Sequence, residues 1–170
     1  IPEYHYYLKD HLGNNRVEVN IDGTVEQVNH YYPFGGLLGE STGCSVQWYK
    51  YNGKEFDRTH GLDWYDYGAR FMTPDIGRFT TIDPLAEKYY SISPYVYCVD
   101  NPIRNIDPLG DTILVINKCN TFKYENGKLY NKDGNLYKGE NGKLKGFLSQ
   151  VVNALGKISA TKTGNNLIHN

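Results

Sequence analysis

The sequence predicts a mainly β fold, and three of its features carry this prediction. The 170 residues include 16 tyrosines, 18 glycines and a single methionine. Tyrosine favours strands and cross-strand pairs, whereas glycine and asparagine favour tight reversals. Short alternating runs are also separated by Asn-Gly and Asp-Gly pairs, which are hairpin signals. We therefore expect many short strands joined by tight turns rather than a helical bundle.

The first 30 residues are expected to form hairpins. His5–Leu8 predicts a short strand, and a polar turn follows it. Arg16–Ile21 alternates, with its branched residues on one face, which is the pattern of a half-buried strand. Asp22-Gly23 then predicts a tight turn into another alternating run.

Two aromatic segments come next. Trp48–Asp57 predicts a strand, an Asn-Gly turn and a second strand. Gly61–Phe79 predicts another hairpin that turns near "TPDIG", and its dense aromatic cluster at Trp64–Phe71 is expected to be buried. Further on, Tyr95–Cys98 predicts a short strand before an Asn-Pro pair.

The chain changes character after Gly110, where a small α+β tail is expected. Asp111–Cys119 contains a run of branched apolar residues, which indicates a buried strand. "ENGKL" occurs twice, at Glu125–Leu129 and Glu140–Leu144, and predicts hairpin turns. Apolar residues then recur at the spacing of one helix face: Phe147, Leu148, Val151, Val152, Leu155 and Ile158. A second helical piece is expected from Thr163.

Charge and composition exclude several classes of function. The net charge of −1 favours no binding of nucleic acid by the chain as a whole, and no apolar run is long enough to span a membrane. The first residues do not resemble a signal peptide, and we interpret the sequence as an internal piece of a longer chain. The aromatic stretches lack interleaved Lys and Arg, so strand packing accounts for them better than base stacking does.

The cysteines and histidines predict neither a disulfide framework nor a metal centre. Three cysteines without a CxxC pair are expected to be buried or half-buried thiols: Cys44, Cys98 and Cys119. The histidines are scattered and none pairs at i,i+4: His5, His11, His30, His60 and His169. We therefore predict no metal site and no cofactor within these residues.

The tetrapeptide Ile-Asp-Pro-Leu occurs twice, at Ile82–Leu85 and Ile106–Leu109. Two carboxylates held about 3 Å apart can share one proton, because like charges that close cannot both ionise. Asp83 and Asp107 could then act as the base and the acid of a peptide hydrolysis, with Arg78 holding one of them by a charge-assisted hydrogen bond. The alternative is that both aspartates only form turns, since Asp before Pro commonly accepts hydrogen bonds from turn amides. Both interpretations stay open.

The first 110 residues resemble the core of the Rhs/YD-repeat family of bacterial polymorphic toxins. The resemblance rests on long, collinear motifs: "YYLKDHLGNNRV", "YYPFG", "YNGKEFD", "HGLDWYDYGARFMTPDIGRFTTIDPL" and "SPYVYCVDNPIRNIDPLGD". It implies a β-sheet shell wound from repeats, with residues 1–110 as the repeat-associated core and residues 111–170 as the start of a variable C-terminal effector domain.

The resemblance also implies self-cleavage at that junction by an aspartyl-type site. Asp83, Asp107 and Arg78 would be the catalytic residues, and the bond between Gly110 and Asp111 would be cut. Self-cleaving members have Gly where this chain has Ala86 and Leu where it has Asp111. These two differences keep the alternative open that both motifs only mark where shell ends and effector begins.

The expected function is therefore that of a fragment of a secreted or surface-exposed toxin whose core encloses an effector. Its expected partners are the rest of its own shell, the effector, an immunity protein and secretion machinery. The tail resembles the segment that precedes zinc-metallopeptidase effectors, but a nuclease or deaminase is equally open. The rival hypothesis is a non-enzymatic surface or adhesion module whose strands form a binding wall.

Overall fold

The computed structural model describes residues 4–40, 47–89, 92–117, 120–125, 128–139 and 142–159. In these ranges the fold is mainly β, with antiparallel four-stranded sheets and a C-terminal helix, which confirms the predicted class. The chain forms two compact units, Ile1–Thr80 and Thr81–Asn170. Among the described helices, none has the length and apolar character needed to cross a membrane.

The first unit begins with an antiparallel sheet of four strands in sequential order. Its strands are β1 (His5–Lys9), β2 (Asn15–Asn20), β3 (Val25–Tyr31) and β4 (Leu37–Glu40). The Asp22-Gly23 turn forms as expected, because Gly23 adopts a φ of 81° and its N–H donates to the Asn20 carbonyl at 3.0 Å. The predicted N-terminal hairpins are therefore confirmed.

In this sheet the face that carries polar side chains is buried, and the face that carries apolar side chains is exposed. Glu18, Gln27 and Asn29 are each no more than 3% exposed. On the strands' other side, Tyr6 and Leu8 are largely exposed. A substantial apolar surface is thus left uncovered on the first unit.

The second sheet of this unit is a meander of short strands in sequential order. Its strands are β5 (Glu55–Asp57), β6 (Trp64–Asp66), β7 (Phe71–Thr73) and β8 (Arg78–Phe79). The predicted turn near "TPDIG" forms between β7 and β8. The buried side chains of this region are mostly aromatic: Tyr51, Phe56, Tyr65, Tyr67, Met72 and Phe79.

Two details of the aromatic segments differ from expectation. The first strand predicted within Trp48–Asp57 is reduced to an isolated bridge between Tyr49 and Glu55, because Tyr51–Gly53 forms a 3-10 turn. Trp64 is only half-buried, whereas Tyr67 is 1% exposed.

The second unit contains a third sheet with the strand order β12-β11-β10-β9. Its strands are β9 (Asn105–Ile106), β10 (Leu114–Asn117), β11 (Asn120–Glu125) and β12 (Lys128–Tyr130). The core of this unit consists of Tyr89, Ile113, Val115, Phe122, Tyr124, Leu129 and Leu148. The predicted tail strand and its first hairpin are therefore confirmed.

The predicted helix is confirmed as α1 (Gly146–Ser159). Leu148 is buried in the core, and Val151 and Val152 pack against it. The side chains of Phe147, Leu155 and Ile158 lie outside the described part, as do Cys44, Cys119, His169, parts of both "ENGKL" turns and the helical piece expected from Thr163.

The strand predicted at Tyr95–Cys98 is wrong. Val96 forms a single bridge inside a turn, and Cys98–Asp100 forms a tight 3-10 turn. Cys98, Val99 and Asp100 have φ values of 51°, 55° and 55°, in the left-handed region that a strand cannot use. The Asn105 side chain donates to the Cys98 carbonyl at 2.9 Å and helps to hold this conformation.

Candidate functional site

Asp83 opens the first Asp-Pro turn. Its half-buried side chain accepts a hydrogen bond from the Leu85 N–H at 2.7 Å. Its own N–H donates to the Pro94 carbonyl at 3.0 Å, so the turn is anchored to the segment that follows it. Asp83 thus stabilises its turn in the way that Asp before Pro commonly does.

Asp107 organises the second turn much more extensively. It is 2% exposed, and one oxygen, Oδ1, lies within hydrogen-bond distance of four successive backbone N–H groups. The donors are Leu109 at 3.3 Å, Gly110 at 2.8 Å, Asp111 at 3.1 Å and Thr112 at 3.1 Å. The carboxylate is therefore bound directly to the backbone at which cleavage is predicted.

The pKa of the buried Tyr89 hydroxyl is raised, and the charges of both aspartates contribute to the rise. Burial raises the pKa of Tyr89 to about 12, and the charges of Glu125, Asp83 and Asp107 add to this rise. The Ile113 backbone offsets part of the rise, although its geometry falls short of a hydrogen bond. Among these charges, those of Asp83 and Asp107 make the smallest contributions.

Cys98 also lies beside Asp107. Burial, above all, raises the pKa of the Cys98 thiol well above its ordinary value, and the charge of Asp107 raises it further. Because the thiolate is the nucleophilic form, Cys98 is an unreactive buried thiol. This confirms the expectation for Cys98, whose position next to Asp107 no sequence motif indicates.

Arg78, the third predicted catalytic residue, belongs to the first unit. It lies half-buried in β8 and donates from Nη1 to the Gly77 carbonyl at 3.1 Å. Its predicted action on the aspartates stays a prediction.

A different cluster of ionisable side chains lies on the first sheet. His5 Nδ1 is 2.6 Å from Glu26 Oε2 and 3.3 Å from Glu18 Oε1. Burial is the main cause of a raised pKa at Glu18, while the charge of His5 lowers it. The cluster combines three strands, β1, β2 and β3, so no short spacing in the sequence reveals it.

Comparison with known proteins relates the chain to surface proteins and toxins. No protein-family model matches it. A salivary gland surface protein of Aedes aegypti is 36% identical over 117 residues, which are 67% of this chain and 3% of that protein. Toxin subunit YenC2 of Yersinia entomophaga is 38% identical over 98 residues, which are 55% of this chain and 10% of the subunit.

The fold is similar to that of solved toxin complexes. A crystal structure of TcdB2-TccC3 without its hypervariable C-terminal region matches 64% of this chain and 5% of the solved chain, with 29% identity and a TM-score of 0.57. The chain thus spans a tenth or less of each of these three proteins. With toxin subunits among its relatives and the fold of a solved toxin complex in its strands, the chain is similar in sequence and fold to Rhs/YD-repeat toxin components.

Proposed function

We propose that this chain is a segment of a bacterial toxin shell that includes the junction between the shell and its effector. The observation that carries the proposal is the Asp107 carboxylate, which binds four consecutive backbone amides at residues 109–112. This turn lies where the composition of the chain changes. The TccC3 relative has a hypervariable C-terminal region, and a variable effector after Gly110 would correspond to it.

The uncovered apolar face of the first sheet supports a role in a larger wall. Tyr6 and Leu8 in β1 and Val25 in β3 are each more than half exposed. Apolar surface of this kind favours a protein contact. Its partner would be the remainder of the shell. The complete shell would enclose the effector and separate it from the producing cell until the toxin is secreted and delivered. An immunity protein and secretion machinery would be further partners.

Self-cleavage at the junction is the finer part of the proposal. Water, activated by Asp83 or Asp107, would attack the Gly110 carbonyl carbon, and the bond to the Asp111 nitrogen would break. The other carboxyl group would protonate the leaving nitrogen, which leaves a Gly110 carboxylate and an Asp111 amine. Asp107 Oδ1 accepts the Asp111 N–H at 3.1 Å together with three other backbone N–H groups, and hydrogen bonds to the charged form favour Asp107 as the base rather than as the proton donor.

The test is intact-mass spectrometry of a longer chain that contains the complete shell and tail. We expect fragments that end at Gly110 in the wild type and an intact chain for Asp83→Asn and Asp107→Asn. Asp133→Asn, in an exposed turn, is the matched control and should be cut like the wild type. A folded wild-type chain that stays uncut would leave both aspartates as turn formers and the shell as a passive container.

The rival function, a non-enzymatic surface or adhesion module, is favoured by the similarity to the salivary gland surface protein. In that case the strands would form a binding wall and the tail a folded cap. The full 3′ sequence of the gene separates the two functions. An effector requires a catalytic cluster, of zinc-metallopeptidase or another type, and an immunity-type reading frame downstream, whereas a cap requires neither.

A further inference from the structure

The cluster of His5, Glu18 and Glu26 has the geometry of a small cation site. Their side chains each offer one ligand atom, and these atoms lie within 4.8 Å of one another. A bulge in the register of β2 and β3 explains the arrangement, because Glu18 pairs with Gln27 and Val19 pairs with Val25. Glu26 is the additional residue, and a bulge commonly redirects such a side chain.

Glu18 has unused binding capacity inside this cluster. The residue is 3% exposed, and its Oε2 has no hydrogen-bond partner among the described residues. A buried carboxylate oxygen without a partner costs free energy, because it has lost its water without replacement. A bound cation would satisfy this oxygen directly.

We propose that His5, Glu18 and Glu26 bind one divalent transition-metal cation of the Zn²⁺ or Mn²⁺ class. One imidazole nitrogen with two carboxylates is a donor set that suits these ions. Ligand atoms that are each about 2.0–2.2 Å from an ion lie roughly 3.0–3.4 Å apart. The 3.3 Å separation between His5 Nδ1 and Glu18 Oε1 lies in this range. His5 Nδ1 and Glu26 Oε2, at 2.6 Å, are at hydrogen-bond distance and would move apart by a few tenths of an ångström to admit the ion.

The bound ion would tie β1, the edge strand of the described sheet, to the next two strands in the sheet order. β1 carries His5, β2 carries Glu18 and β3 carries Glu26, so the three ligands cross-link the three strands. Exposed edge strands need such protection, since their unpaired backbone groups can pair with other chains.

Two neighbouring groups complete the electrostatics of the site. Lys50 is 1% exposed and its charge lowers the pKa of Glu18, so it offsets one of the two negative charges. The Tyr7 hydroxyl is hydrogen-bonded to Gln47, and its pKa is raised by burial and then by the charges of Glu18 and Glu26. The two carboxylates and Lys50 together leave one negative charge for a cation.

The test uses the 170-residue chain after treatment with EDTA and desalting. Mn²⁺ is the probe, because thiolates such as those of Cys44 and Cys119 prefer softer ions. Binding is measured by electron paramagnetic resonance and by the melting temperature at neutral pH. We expect saturation at one equivalent, a higher melting temperature with Mn²⁺, and displacement of Mn²⁺ by Zn²⁺.

Variants then locate the site. His5→Gln and Glu26→Gln should each weaken Mn²⁺ binding by on the order of 10-fold or more, the size of change known even for groups that only support metal ligands. His30→Gln, an exposed residue of β3, is the matched control and should bind like the wild type. Absence of saturable binding in the wild type, or undiminished binding by Glu26→Gln, overturns the proposal and leaves His5 as a hydrogen-bond partner of Glu26. His5 and Glu26 are only partly buried, so this result does not depend on replacing the deeply buried Glu18.

Discussion

At the scale of single residues, the buried tyrosines of the first unit pack by their rings and are fixed by their hydroxyls. The Tyr51 hydroxyl donates to the Pro33 carbonyl at 2.7 Å, and the Tyr65 hydroxyl donates to the Gly35 carbonyl at 2.8 Å. The rings of these two tyrosines lie 5.8 Å apart. Tyrosine combines a large apolar surface with a polar end, which explains why it is used here in preference to phenylalanine.

Tyr67 separates the contribution of the ring from that of the hydroxyl. Its ring packs edge-on against Phe79 at 5.6 Å, and its hydroxyl donates to Asn52 Oδ1 at 2.7 Å. We expect Tyr67→Phe to lower the free energy of unfolding by about 1 kcal/mol, which is the usual value of one hydrogen bond. Tyr67→Ala should lower it by about 3–5 kcal/mol, because it also leaves a cavity. Urea unfolding measures both changes.

Trp64→Ala is the matched control for this comparison. Trp64 is half-buried, with its ring 6.2 Å from that of Phe71. Trp64→Ala should therefore lower the free energy of unfolding by clearly less than Tyr67→Ala does. Equal losses of stability for Trp64→Ala and Tyr67→Ala would contradict the burial described here.

Tyr89 should make stability depend on pH in the alkaline range. Its pKa is raised from 10.0 to about 12, so the folded state keeps the proton that the unfolded state loses. The stabilising effect is complete below pH 10.0 and is lost progressively up to about pH 12. We expect the free energy of unfolding of Tyr89→Phe to fall less steeply across this range than that of the wild type. Identical pH profiles for both proteins would argue against the raised pKa.

At the scale of elements, the turn between β3 and β4 depends on a close approach to an aromatic ring. Gly35 has a φ of +87°, and a Cβ placed there would lie 2.7 Å from the Tyr51 ring. At Gly23, φ is +81° and nothing lies within 4 Å of the same position. The two glycines therefore share a backbone conformation but differ in their surroundings.

Alanine substitutions at these two glycines should differ accordingly. Gly23→Ala should lower the free energy of unfolding by about 1–2 kcal/mol, the cost of a left-handed backbone with a side chain. Gly35→Ala should cost more, because Tyr51 must also move and cores resist overpacking by about 1–3 kcal/mol. Calorimetric melting of both variants measures the difference, and equal effects would refute the steric explanation.

Alanine substitutions in the two Asp-Pro turns should also lower the free energy of unfolding by different amounts. Asp107→Ala removes the acceptor of four backbone amides and should destabilise the second unit by about 3 kcal/mol or more, since buried unpaired donors each cost about 1–3 kcal/mol. Asp83→Ala removes the acceptor of the Leu85 N–H and should cost about 1 kcal/mol. The measurement is denaturant unfolding, and a larger loss for Asp83→Ala would reverse our assignment of the two turns.

At the scale of the whole molecule, the tail shares its core with residues that precede Gly110. Strand β9 (Asn105–Ile106) pairs with β10 (Leu114–Asn117), on the other side of the predicted junction. Tyr89 belongs to the same core as Leu148. The predicted boundary at Gly110 thus lies between two paired strands of one compact unit, and as a boundary between shell and effector it stays a prediction.

Two fragments test this sharing of the core. Residues 111–170 lack β9 and Tyr89, so they should show little structure by circular dichroism and no cooperative melting transition. Residues 81–170 contain the whole second unit and should melt cooperatively, although a domain of this size is only marginally stable. A cooperative transition of the shorter fragment would mean that the tail folds independently of the segment before it.

The sequence by itself determined the local elements of this protein. The first three strands of the first sheet, the Asp22-Gly23 turn and α1 follow from periodicity and turn chemistry, which act over a few neighbouring residues. The two Asp-Pro turns were predictable for the same reason. β4 (Leu37–Glu40) was not predicted, because its residues show little pattern. Tyr95–Cys98 was mistaken for a strand, because the left-handed backbone at Cys98 is held by a contact outside the segment itself, from the Asn105 side chain seven positions later.

Only the tertiary structure decided which faces are covered and which charges meet. Alternation predicts that a strand has two faces, but the first sheet encloses the polar one, with Glu18 almost fully buried. The cluster of His5, Glu18 and Glu26 and the four backbone amides bound by the buried Asp107 likewise depend on how the chain packs. Local sequence patterns cannot specify such encounters, because burial and electrostatic interaction depend on distances in space that are set only when the strands pair and pack.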